Sequence, residues 1–189
     1  NGVKECTNVM CIVMALVCIL FSLLAPEMLL ILATKEYSHA IYMFPPLTIS
    51  VYFVFVYNFF VNIELYYEKN ILVTIASCIT AVLNIILNYI AIKYWGYIAA
   101  AYTTLICYVF YAVIHYIFMK NILKNKNVKN MYDGRLILIL SIGVIVLSIF
   151  VNWLYTYIVL RYLFVLLILL MCIVNRNVII NNIKLIKNK

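Results

Sequence analysis

Residues Leu83–Tyr108 read LNIILNYIAIKYWGYIAAAYTTLICY. The stretch is almost wholly apolar, yet it holds Asn84 and Asn88, a lysine, a glycine and the run Ala99-Ala100-Ala101. Four-residue spacing puts the two asparagines on one helical face. Gly96, inside KYWGY, marks a tight turn between two apolar arms. The segment therefore reads as a helical hairpin, and the question is what solvent could surround it.

The rest of the chain answers. Of 189 residues 68% are hydrophobic and 11% charged, against roughly 45–50% and 25% in soluble domains. A chain of this size leaves much of its surface exposed, so lipid must solvate most of it. The expected class is an all-α, polytopic membrane helix bundle. Nothing alternates with period two over strand-length stretches, which excludes a barrel. The chain opens Asn-Gly-Val-Lys without Met, and the expectation is a processed chain or the back part of something longer.

A crossing helix needs about 20 mostly apolar residues. Six candidates fit: Val9–Ala33, Ile41–Ile63, Ile71–Ile92, Ile98–Met119, Leu136–Val151 and Tyr157–Val174. Pro45-Pro46 stands near the start of the second, where missing N–H groups cost least. The expected organisation is four membrane helices in 1–119, a basic loop in 120–135, a terminal helix pair in 136–175 and a basic tail in 176–189.

Six spans put the even-numbered loops and both termini on one side. That side holds Lys4, Lys69, Lys120, Lys124, Lys126, Lys129, Arg135, Arg176, Lys184, Lys187 and Lys189. The other holds only Lys35, Lys93 and Arg161. By the positive-inside rule both termini are cytoplasmic. The net charge of +8 is then an orientation signal and a contact for membrane lipids, with no nucleic acid as partner. The tail NNIKLIKNK has no interleaved aromatics to stack bases.

No catalytic constellation stands out, and neither metal nor cofactor is expected. The six cysteines form no C-x-x-C pair and read as small residues facing lipid or neighbouring helices. Asn58 and Asn62 share a face of the second span, as Asn84 and Asn88 do of the third. Amides in lipid either bond across to another helix or line a polar cavity. In the fourth span Thr104, Tyr108, Tyr111 and His115 fall on one stripe. The stripe is either a packing face or a cavity wall whose imidazole titrates near neutrality. Glu27 is expected to reach the interface, and Arg161 to snorkel to the headgroups. The other acidic residues read as span ends and loops.

L-N-x-x-L-N-Y-x-x-I-x-x-x-G, followed by small residues and T-L-I-x-Y, resembles a signature of bacterial polysaccharide flippases. These are members of the multidrug/oligosaccharidyl-lipid/polysaccharide exporter superfamily. The matching residues are Asn84, Asn88, Tyr89, Gly96, Ala100, Ala101, Thr104 and Tyr108. LLAPEMLLILATKEYSHA (Leu23–Ala40) and Pro45-Pro46-Leu47 are similar to further family segments. The likeness covers roughly the first 110 residues. The chain departs from it with Ala99 where the family often has a second glycine, and with Thr34 and Lys35 where it often has a glycine before the loop tyrosine.

The resemblance implies most of the second lobe of a flippase of roughly 12–14 helices, lying in the bacterial cytoplasmic membrane. The missing N-terminal lobe of the same protein would be its partner. The implied substrate is an undecaprenyl-pyrophosphate-linked oligosaccharide, moved between leaflets by alternating access. Its cavity candidates in this half are Asn58, Asn62, Asn84, Asn88, Tyr108, Tyr111 and His115. Two other functions stay open: a multidrug or cation antiporter of the same superfamily, and a membrane glycan polymerase or ligase. Short loops on the side away from the termini argue against the polymerase.

Overall fold

The computed structural model describes residues 2–32, 35–128 and 131–174. Every element among them is helical: α1 (Gly2–Leu23), α2 (Ala25–Leu32), a 3₁₀ segment (Lys35–Met43), α3 (Phe44–Tyr66), α4 (Asn70–Trp95), α5 (Ala99–Asn125), α6 (Gly134–Leu154) and α7 (Ile158–Val174). Helices α1, α3, α4, α5 and α6 are long and apolar enough to cross a membrane, as in a multi-pass membrane protein. That makes five, not the six expected. The sixth candidate, Tyr157–Val174, forms a helix of 17 residues, about 25 Å at the usual rise against a hydrocarbon core of about 30 Å. The basic tail 176–189 lies outside the described residues.

The first candidate span is two helices. Pro26 has no N–H to give the carbonyl of Ser22 four residues back, and the chain turns at Leu24. The Tyr155 hydroxyl fills the gap, donating to the Ser22 carbonyl at 2.7 Å. Pro45 and Pro46 occupy the first positions of α3, where no intrahelical N–H is lost. Gly96 ends α4 at φ +77, a conformation that L side chains rarely adopt. α5 outruns its expected end, so Lys120 and Lys124 ride on helix rather than loop. Cations favour a helix C-terminus. The connection proper is 126–133, and Lys126 lies 5.8 Å over the Tyr67 ring. Asp133 caps α6, accepting from the Leu136 amide.

α3 is the axis of the bundle. It packs on α1, α5 and α6 through a core that includes Ile49, Tyr52, Phe53, Val56 and Phe60. α1 meets it with small buried residues at helical spacing, Thr7, Cys11, Ala15, Cys18 and Ser22, which lets the backbones approach. α4 packs chiefly on α5 and buries little, only Ala76, Thr80 and Ala91. α7 leans on Leu23, Val151 and Leu154 through Phe164, Val165 and Ile168.

Candidate functional site

Among the described residues three polar clusters joining helices bear on the site, and four of the seven expected cavity residues, Asn84, Asn88, Tyr111 and His115, fall in the first two. The first joins α4 to α5. Asn88 Nδ2 donates to Asn84 Oδ1 at 2.9 Å, and the Thr103 hydroxyl donates to Asn88 Oδ1. This explains the two asparagines of the opening stretch: Asn84 orients Asn88, and Asn88 bonds across the hairpin. The same hydroxyl is 3.0 Å from the Ala100 carbonyl, so Thr103 has a partner on its own helix too. A cleft of about 430 Å³ lined by Ala91, Ala99 and Thr103 lies alongside.

The second cluster is where α3, α4 and α5 meet. Glu64 and His115 are both 0% exposed, and Glu64 Oε1 lies 2.7 Å from His115 Nδ1. Tyr57 stacks on the imidazole at 5.8 Å between centroids. Tyr111 meets it edge-on at 4.3 Å and shares a hydrogen bond of 2.7 Å with Ser77 of α4. Glu64 Oε2 and His115 Nε2 are buried without a protein partner. The arrangement is a carboxyl–imidazole hydrogen bond in a box lined by aromatic rings.

The third cluster ties α7 to α2. Arg161 donates through Nη2 to Glu27 Oε1, which also accepts from the Tyr162 hydroxyl at 2.6 Å. Arg161 is 5% exposed. It does not snorkel, and Glu27 is not a free interfacial acid: a carboxylate within reach is a better partner for a guanidinium than distant headgroups. Burial pushes the nearby Tyr155 phenol up, against the opposing pull of Arg161.

Of the seven cavity candidates, Asn84 meets Asn88 and Tyr111 meets His115. Tyr108 is half-buried and packs against the core. Asn58 and Asn62 are exposed on α3 and join neither cluster. Asn58 donates only to the Val54 carbonyl of its own helix, at 2.6 Å. Glu64 is the residue that sequence reading placed at a span end and passed over. Its signal was there: Ile49, Phe53, Val56, Phe60 and Glu64 recur every three or four residues on the buried face of α3. Among the described residues, no group of three or more His, Cys, Asp or Glu could hold a metal ion.

No family model, curated protein or solved structure matches the chain.

Proposed function

We propose that the chain is most of the second lobe of a bacterial flippase for undecaprenyl-pyrophosphate-linked oligosaccharides. In this reading the N-terminus and the connection between α5 and α6 are cytoplasmic. The reading rests on the resemblance carried by Asn84, Asn88, Tyr89, Gly96, Ala100, Ala101, Thr104 and Tyr108. One structural observation supports it most: Asn58 is exposed on α3, about two turns inside a helix long and apolar enough to cross, with Asn62 exposed one turn nearer the helix end. Amides facing hydrocarbon are costly, so such a face calls for a water-filled cavity or a second protein surface. A two-lobed transporter supplies both. The sugar would sit against this face while the isoprenoid tail stays in the bilayer.

The test is leaflet transfer of a fluorescent undecaprenyl-pyrophosphate oligosaccharide in proteoliposomes holding the full-length protein. Asn58→Leu with Asn62→Leu should slow transfer at least tenfold, by about 1.4 kcal/mol or more of barrier. Unchanged transfer would remove α3 from the cavity wall.

A second reading, a cation antiporter of the same superfamily, gains from Glu64 and His115. A shielded carboxylate–imidazole pair can carry the proton that such exchange requires. Proton-driven efflux of a cationic dye, lost in Glu64→Gln and accompanied by no sugar-lipid transfer, would favour it.

A further inference from the structure

A cleft of about 330 Å³ opens between α5 and α6, with α3 as its floor. Its α5 wall carries Val109, Val113 and Tyr116. The same three- and four-residue spacing leads on to Lys120. Its α6 wall carries Leu138, Ile142 and Ile145, and the spacing leads back to Arg135. Each apolar wall thus ends in a cation at the same end of the cleft. Lys120 and Arg135 are exposed, and among the described residues neither has an ion-pair partner.

Two further features mark this end. The helices pinch there, since a Cβ on Gly134 would lie 2.8 Å from the Tyr116 hydroxyl. That hydroxyl makes no hydrogen bond among the described residues and is a polar group at the neck of an otherwise greasy groove. Asp133, next to Gly134 in the chain, accepts from the Leu136 amide. From Gly134 to Ile145 the α6 wall runs about 16 Å by helical rise, close to half of a hydrocarbon core of about 30 Å. The cleft is one leaflet deep, basic at the rim and apolar below.

We propose that this cleft seats an acyl chain of an anionic phospholipid of the cytoplasmic leaflet. Lys120 and Arg135 hold the phosphate, and the Tyr116 hydroxyl donates to a glycerol-ester oxygen. The inference uses the orientation proposed above and is independent of what the protein transports. Charge complementarity selects the occupant: two free cations at the rim favour an anionic headgroup over a zwitterionic one.

The experiment uses the full chain in mixed micelles and photo-crosslinking phospholipids carrying a diazirine at mid-chain, with either a phosphoglycerol or a phosphocholine headgroup. The phosphoglycerol probe should label Val113, Leu138 and Ile142 about tenfold more than the phosphocholine probe. K120Q with R135Q should remove that preference. I142W, at a site already more than half exposed, should block the cleft and abolish the labelling while circular dichroism stays unchanged. Equal labelling by both probes, label spread evenly over α4 and α7, or a preference that survives K120Q with R135Q would overturn the proposal. So would complete displacement of the phosphoglycerol probe by equimolar undecaprenyl phosphate, which would assign the cleft to the isoprenoid carrier.

Discussion

α5 has two seams, and they are built differently. Toward α3 it is sealed: Glu64 and His115 are fully buried, and among the described residues each is the other's side-chain hydrogen-bond partner, with rings packed around the imidazole. Toward α4 it is half open: Asn88 and Thr103 bond across, yet Thr103 also reaches a carbonyl of its own helix. A group shut away from every alternative depends wholly on its partner, whereas a group with a second choice loses little when the first is removed. The α3–α5 seam should therefore be the rigid one, and α4 the helix able to shift.

Removing Glu64 tests this with the largest effect. Glu64→Ala leaves a buried imidazole unpaired and should destabilise the fold by about 3–5 kcal/mol, read as a lower thermal midpoint in micelles. Glu64→Leu with His115→Phe should recover most of that loss, because replacing a buried pair by packed apolar groups is often neutral. A double that is no more stable than the single would show that the pair is not the source of rigidity.

Next comes Arg161→Ala at the α7 latch. It strips the charged partner from a carboxylate about a third exposed and leaves it the Tyr162 hydroxyl, so roughly 1–2 kcal/mol is expected, less than for a fully buried pair. Protease sensitivity at the α6–α7 turn should rise with it. Asn88→Ala should cost only about 0.6–1.7 kcal/mol, and hydrogen exchange should quicken in α4 before α3. Faster exchange in α3 first would reverse the ranking of the seams. Smallest of all, Asn58→Leu should change stability by less than about 0.5 kcal/mol, as at other exposed positions. A loss well above that would mean the amide supports the fold rather than facing a cavity.

Much of the architecture was legible in the chain. The KYWGY turn, the proline pair opening α3 and four of the spans came directly from hydropathy and backbone chemistry. The break at Leu24 was not foreseen, although Pro26 was in plain view. Its consequence depends on whether a donor such as Tyr155, far along the chain, can reach the freed carbonyl of Ser22. Lys120 and Lys124 looked like loop because charge suggests water, yet local helix formation carried them outward on α5. The site was read less well. The asparagine motif located the α4–α5 bond, and helical spacing put Tyr111 and His115 together, but Glu64 was passed over.

Sequence by itself determined the solvent, the helical class, most of the crossings and the asymmetry of charge. Those follow from composition and from periodicities confined to one segment. Only the tertiary structure decided that Glu64 meets His115, that Glu27 meets Arg161, and that Asn58 and Asn62 make no hydrogen bond to another helix among the described residues. Pairings between helices depend on how each is rotated about its own axis. That rotation is set by packing of small residues such as Cys11, Ala15 and Cys18 against α3, which no single segment encodes.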